Sequence, residues 1–346
     1  MKVDKELLQK LINAFGISGH EQEVRDIIRK EIKPYVDEVF VDRMGNLIAK
    51  RKGVAPKVML AAHMDEIGLM VKRIEHKGHI YCTAIGDVDA AMMIGQTIHI
   101  KTNKGKIHGV ITLREVSAGK LVKTLPTIED LIVDTGLDKK QLESLGVETG
   151  TYLPFAANTC CFGERGFIFG KALDNRIGCY ILIELAKRLK KGKIKGNPEI
   201  YFVFTVQEEI GLRGARPSAF EIKPEWGVVV DTTHANDSFP EPSRFLGKGP
   251  CLTVKDGEFI GSRSINDWIK EIARKQKIPL QLEAIELGTT DAASIQTTQG
   301  GIPSSALCVP VRNIHTTISV ASISDIENAI LILENLFKKP PLVCTV

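Results

Sequence analysis

Acidic and imidazole side chains stand where apolar runs of this chain end. KVMLAA (57–62) leads into His63-Met64-Asp65, and the run 200–204 leads through Thr205-Val206-Gln207 into Glu208-Glu209. WGVVV (226–230) stops at Asp231, SSALCVPV (304–311) runs out into Arg312-Asn313-Ile314-His315, and Asp174 stands directly ahead of a helical stretch. Taken singly, each has an ordinary role: a histidine hydrogen-bonded at a core edge, a helix cap at Asp174, a turn former at Asp231, a solvated loop at Glu208-Glu209. Gathered at one edge of one sheet, they would repel and desolvate one another unless a cation sat between them. The set therefore predicts a metal site. Oxygen and imidazole donors without thiolates suit catalytic zinc, or its neighbours cobalt and manganese. His63 and Asp65 are two apart, on the same face of a strand, so Asp65 is expected to hold the imidazole from behind. Where the chain leaves the sheet, one of Glu208 and Glu209 can face metal while the other turns toward substrate.

The elements that must position these residues read as strands alternating with helices. Residues 4–33 are helical with a break at 16–19, and strands at Glu38–Val41 and 47–50 flank the turn Met44-Gly45-Asn46. KVMLAAHMD is continuously apolar, like a strand buried on both faces of a parallel sheet. NRIGCYILIELAKRLKK is a helix with basic residues in its last turns, which suits the helix dipole. EIYFVFTV, WGVVVD, LQLEAIE and SSALCVPV are strands. SRSINDWIKEIARKQK, with a Ser or Asn cap, and SISDIENAILILENLFKK are helices. The expected fold class is α/β: a mostly parallel sheet with helices on both faces, in which ligands gather at the carboxyl ends of the strands. Between 68 and 161 the texture changes. Short alternating segments such as IGQTIHI and GKIHGVI, punctuated by glycine, predict a small antiparallel β-barrel or sandwich inserted between two halves, 1–67 and 162–346, of the larger unit.

Composition narrows the function. With 346 residues, 43% hydrophobic and 25% charged, the chain is an ordinary globular protein large enough for a substantial core. A net charge of +4 and 6% aromatics give no basis for nucleic-acid binding. No apolar stretch approaches the ~20 residues of a membrane span, and charges interrupt any signal-peptide core in MKVDKELLQKLINAFG. The seven cysteines form no C-x-x-C pair, which predicts reduced, mostly buried thiols and a cytoplasmic setting.

HMDEIG, ALDNRIG, TVQEEIGLRGA, VVDTTHA and RNIHT resemble, in order and over essentially the whole chain, the motifs of the tetrahedral (TET) aminopeptidases. That family includes glutamyl and deblocking aminopeptidases, and some members were once described as endoglucanases. The resemblance implies a zinc-peptidase-like fold with two divalent ions, zinc or cobalt foremost and manganese third. Asp174 would bridge them, His63 and Asp231 would complete one site, Glu209 and His315 the other, and Glu208 would be the general base. Three ligand carboxylates against two divalent ions leave one positive charge, which a bound hydroxide neutralises. It further implies short peptides as substrates, and an insert that pairs subunits within a hollow tetrahedral dodecamer.

The chain departs from the family pattern at three places. Asn175 follows the bridging aspartate where many members have Asp, a change that metal binding should survive. Arg312-Asn313-Ile314-His315-Thr316-Thr317 replaces Arg-Tyr-x-His-Ser-Pro, and Gly288-Thr289-Thr290-Asp291 replaces Gly-Gly-Thr-Asp. The last two place Thr289, Thr290, Asp291 and Arg312 at the substrate pocket and bear on side-chain preference. The rival functions are a two-metal deacylase or carboxypeptidase on the same fold, an endoglucanase, and a non-catalytic assembly protein.

Overall fold

A computed structural model describes residues 3–102, 104–121, 124–156, 161–163, 166–192, 197–238, 240 and 242–338. The chain opens with two amphipathic helices, Lys5–Asn13 and Gln22–Ile32. The first is capped by Asp4, whose carboxylate accepts the Leu7 N–H at 3.1 Å. Strands β1 (Glu38–Val41), β2 (Leu47–Arg51) and β3 (Val54–His63) follow. A separate sheet is then built from β4 (Gly68–Ile74), β5 (Ile80–Ile85), β6 (Thr97–Thr102), β7 (Gly105–Leu113), β8 (Leu131–Asp134) and β9 (Tyr152–Leu153). The chain returns through β10 (Cys161–Phe162), β11 (Phe167–Gly170), β12 (Pro198–Thr205), β13 (Trp226–His234), β14 (Cys251–Lys255), β15 (Gln281–Ala284), β16 (Ser304–Arg312) and β17 (Ser319–Ser322).

The larger sheet runs β1-β2-β12-β3-β13-β16-β17-β11-β10, with β14 paired to β16 and β15 to β14. Its centre, β12-β3-β13-β16, is parallel. Its flanks pair antiparallel except for β14 with β15, which are parallel, so the sheet as a whole is mixed. The continuous apolar run of β3 is explained by burial on both faces. Val58, Leu60 and Ala62 join the core that includes residues of the helix Leu173–Lys191. Met59 and Ala61 join the opposite core, with Ala219 of the helix Ala215–Ile222 and Ile295 of the helix Asp291–Gln296. Truncating Leu60, fully buried, to alanine would cost about 2–5 kcal/mol.

The second sheet, β6-β7-β8-β5-β4-β9, is antiparallel throughout. It folds back on itself: His99 N–H donates to Pro154 O (3.0 Å) and Ala156 N–H to Thr97 O (2.8 Å). A third core, including Ile67, Val133 and Phe155, fills it.

Two local expectations are revised. Asp231 does not end its strand: β13 continues past it to His234. The helix Arg263–Gln276 begins after Ser262, whose side chain makes no capping bond. Cys82, Cys179, Cys251 and Cys308 are buried and free. Cys160, Cys344 and the side chain of Cys161 lie outside the described residues.

Candidate metal centre and its cavity

Because the central strands are parallel, their carboxyl ends lie at one edge. Thr205 of β12 pairs with His63 of β3, and Asp231 of β13 with Cys308 of β16. From that edge His63 turns its Nε2 toward Asp174 Oδ1 (3.2 Å), Asp231 Oδ1 (3.5 Å) and Glu208 Oε2 (3.9 Å). His315 turns its Nε2 toward Asp174 Oδ2 (3.2 Å) and Glu209 Oε2 (3.4 Å). One oxygen of Asp174 thus faces each histidine. The Asp174 carboxylate is turned to the two histidines rather than back onto the helix that follows. Asn175 ties that helix down instead, accepting the Gly178 N–H (2.9 Å) and donating to Val230 O (2.8 Å). Ligand-type atoms of His63, Glu208 and Asp231, and separately those of His63, Asp174 and Glu209, lie within 4.8 Å of one another.

The protonation equilibria show a shortage of positive charge. Burial pulls the His63 imidazole down, but the charges of Glu208 and Asp231 outweigh it and leave the pKa well above the usual histidine value. His315 is raised to about 10, where Asp174 and Glu209 overcome burial. On the carboxylate side, burial drives Glu208 well upward, Glu209 to about 8, and Asp231 upward. Histidines and carboxylates that both cling to protons are groups short of a cation. The donor set, two imidazoles and buried carboxylates, fits divalent metal.

Asp65 stands behind the His63 imidazole and meets it chiefly through the main chain. His63 Nδ1 is nearest its main-chain oxygen (3.1 Å), with the carboxylate at 3.6 Å. That carboxylate accepts the N–H of Glu208 (3.0 Å) and of Glu209 (3.1 Å), with Ser18 Oγ donating at 2.6 Å. Beneath it, Glu66 pairs with Lys171 (2.6 Å) and Arg176 (3.2 Å). Arg176 also donates to Met64 O (2.8 Å), pinning the residue between His63 and Asp65.

A cavity of about 890 Å³ opens from the metal-type cluster. Thr289 and Thr290 line it. Asp291 and Arg312 are not among its lining residues. Asp291 lies buried under the site and accepts from Thr205 Oγ1 (2.5 Å). Arg312 grips both oxygens of Asp237 (2.7 Å each). Sequence reasoning missed Asp256, Glu283 and Arg244 in the cavity wall, and Asp87, just after β5, 3.5 Å from His315 Nδ1.

The model of the M42 glutamyl aminopeptidases matches residues 45–332. A lysyl aminopeptidase of Pyrococcus furiosus is 38% identical over 97% of each chain. The TET aminopeptidase structure from a marine-sediment thaumarchaeon superposes with a TM-score of 0.92 at 32% identity, covering 97% of each chain. The Pyrococcus horikoshii TET1 peptidase, described as assembling into a tetrahedron or a large octahedral shell, gives 0.87 at 29% identity over 96% of this chain and 99% of that one. The chain is a peptide hydrolase and belongs to the M42 aminopeptidase family.

Proposed function

We propose that this chain removes N-terminal residues from short peptides, using two divalent ions, zinc or cobalt, held by His63, Asp174, Glu209, Asp231 and His315. The observation that carries the reading is Asp174, whose two oxygens each stand 3.2 Å from a different histidine. Bound there, the ions would supply an activated water and polarise the peptide carbonyl. Glu208 then takes the proton of the attacking water and delivers it to the leaving amine. Of the three carboxylates that face His63 Nε2 it stands farthest, at 3.9 Å, which favours the base role over a ligand role. Asp65 sets the backbone of both glutamates.

A carboxypeptidase needs a cation for the terminal carboxylate. The arginine lining this cavity, Arg244, lies 3.7 Å from Glu283. An endoglucanase works with two carboxyl groups and no metal, which leaves His63 and His315 without a role. A setting in the cytoplasm and a TET-like shell, dodecameric and paired through the insert at 68–161, complete the proposal. Met92, Val110, Leu121 and Leu125 of that segment are exposed apolar side chains that such pairing would cover.

The test is turnover of aminoacyl p-nitroanilides and of a β-glucan, with and without chelator. We expect hydrolysis of the anilides alone, lost on chelation and restored by zinc or cobalt. Full activity of verified metal-free protein would refute the mechanism.

A further inference from the structure

The cavity extends from the metal-type cluster along β13, β14 and β15. Thr233, two residues beyond Asp231 and on the same face, is ~6.6 Å further along the strand. Its hydroxyl donates to Glu283 Oε2 at 2.8 Å, so the Glu283 carboxylate sits within about one side-chain length of the cluster. The other Glu283 oxygen accepts from Thr253 Oγ1 at 2.5 Å. Asp256, 98% buried by its 2% exposure, lines the same cavity. Its Oδ1 accepts the N–H groups of Glu258 (2.9 Å) and Phe259 (2.7 Å), and its buried Oδ2 has no partner. Thr232 Oγ1 and Thr289 Oγ1, also on the wall, are buried and unpartnered as well. Beyond the metal-type cluster the wall carries five acids, Asp87, Asp256, Glu258, Glu283 and Glu286, against Arg244, with Lys255 3.2 Å from Glu286. Arg244 is 3.7 Å from Glu283 and donates through Nε to His234 O, so it is already engaged. Burial raises both Glu283 and Asp256 above ordinary carboxylate values, and Asp256, with its Oδ2 unpartnered, is the one that lacks a donor.

Resting on the aminopeptidase reading, we propose that this cavity selects peptides with a basic first residue. The side-chain ammonium of lysine or guanidinium of arginine is received by Asp256 and Glu283. A substrate with its first carbonyl at the metal-type cluster directs its first side chain along this wall. A cationic tip gives the Asp256 oxygen the donor it lacks, whereas an acidic tip meets like charge in a site of low dielectric.

The experiment compares kcat/KM of the metal-loaded enzyme for Lys-, Arg-, Leu- and Glu-p-nitroanilide, in wild type, Asp256→Asn and Glu283→Gln. Ratios are taken within one preparation, so the folded and metal-loaded fraction cancels. We expect wild type to prefer Lys or Arg over Leu by at least ~10-fold, with Glu lowest, and each amide variant to cut the Lys-to-Leu ratio by at least ~10-fold, as losing a charged acceptor in a buried pair does. A wild-type preference for Leu or Glu, or an unchanged Lys-to-Leu ratio in both variants, would overturn the assignment while leaving the aminopeptidase reading intact. No turnover of any of the four substrates would overturn both.

Discussion

The carboxylate of Asp65 accepts the backbone N–H of Glu208 on one oxygen and that of Glu209 on the other, at 3.0 and 3.1 Å. One side chain at the end of β3 thereby fixes two adjacent glutamates 143 and 144 positions later in the chain. Asparagine has one acceptor oxygen and would point an N–H₂ group at the other amide. Asp65→Asn is expected to lower kcat/KM by ~10–100-fold, the range for residues that orient metal ligands. Steady-state kinetics, with circular dichroism to establish that the fold is kept, checks this; wild-type activity in the variant would contradict it.

The two glutamates are expected to fail in different ways. Glu208→Gln keeps size and removes the base, so kcat should fall at least ~10²-fold with bound metal near two per chain. Glu209→Gln should lose metal from one site. Metal analysis beside kinetics separates them, and the reverse pattern would exchange their roles.

Assembly is testable through the exposed leucines of the second sheet's segment. Leu121 and Leu125 are 86% and 87% exposed. The pair Leu121→Asp, Leu125→Asp is expected to shift light-scattering mass to smaller species. Wild type, if a shell, should lose activity steeply as peptide length grows. A monomeric wild type equally active on folded proteins and tripeptides would exclude the shell.

A fourth outcome concerns acid stability. Burial raises Asp325 from the usual 3.8 to about 6, although its oxygens accept the N–H groups of Gly247 and Gly249 (2.7 Å each). A carboxyl raised in the folded state contributes its stability below its unfolded value and loses it as pH rises through the folded value. The window here is about pH 4 to 6. Asp325→Asn loses one acceptor at every pH but escapes the cost of ionisation. Its deficit relative to wild type should therefore shrink from pH 4.5 to 7.5, by at most about 3 kcal/mol. Denaturant unfolding at the two pH values measures this, and a deficit that grows with pH would contradict the assignment.

The parallel centre of the sheet and the chemistry at its edge were legible because both leave local marks. Buried parallel strands read as unbroken apolar runs, and charges that end such runs are conspicuous. The cavity wall left no such mark. Glu283 reads as one polar position in an alternating strand, and Asp256, in KDGEF, as a turn residue. They converge only because β14 pairs with both β15 and β16, and CLTVK gives too short a signal to announce itself as a strand. Arg312 misled for the opposite reason. It lies in the same motif as His315, yet Asp237, from a different loop, holds its guanidinium away from the cavity. Glu66, Lys171 and Arg176 sit inside or beside the motifs that carry the site, but nothing local says that their charges meet in the interior.

That buried trio has a consequence for how such a chain can change. Glu66 and Lys171 stand 105 positions apart, one just before the second sheet begins and one just after the chain returns, and their side chains touch at 2.6 Å. The two stems of the intervening segment therefore rise from a single point, clamped at the root. What grows above that clamp is a cassette. Its outer faces can be rewritten while the clamp holds, but its root cannot, because Asp87 of the same segment reaches to 3.5 Å from His315.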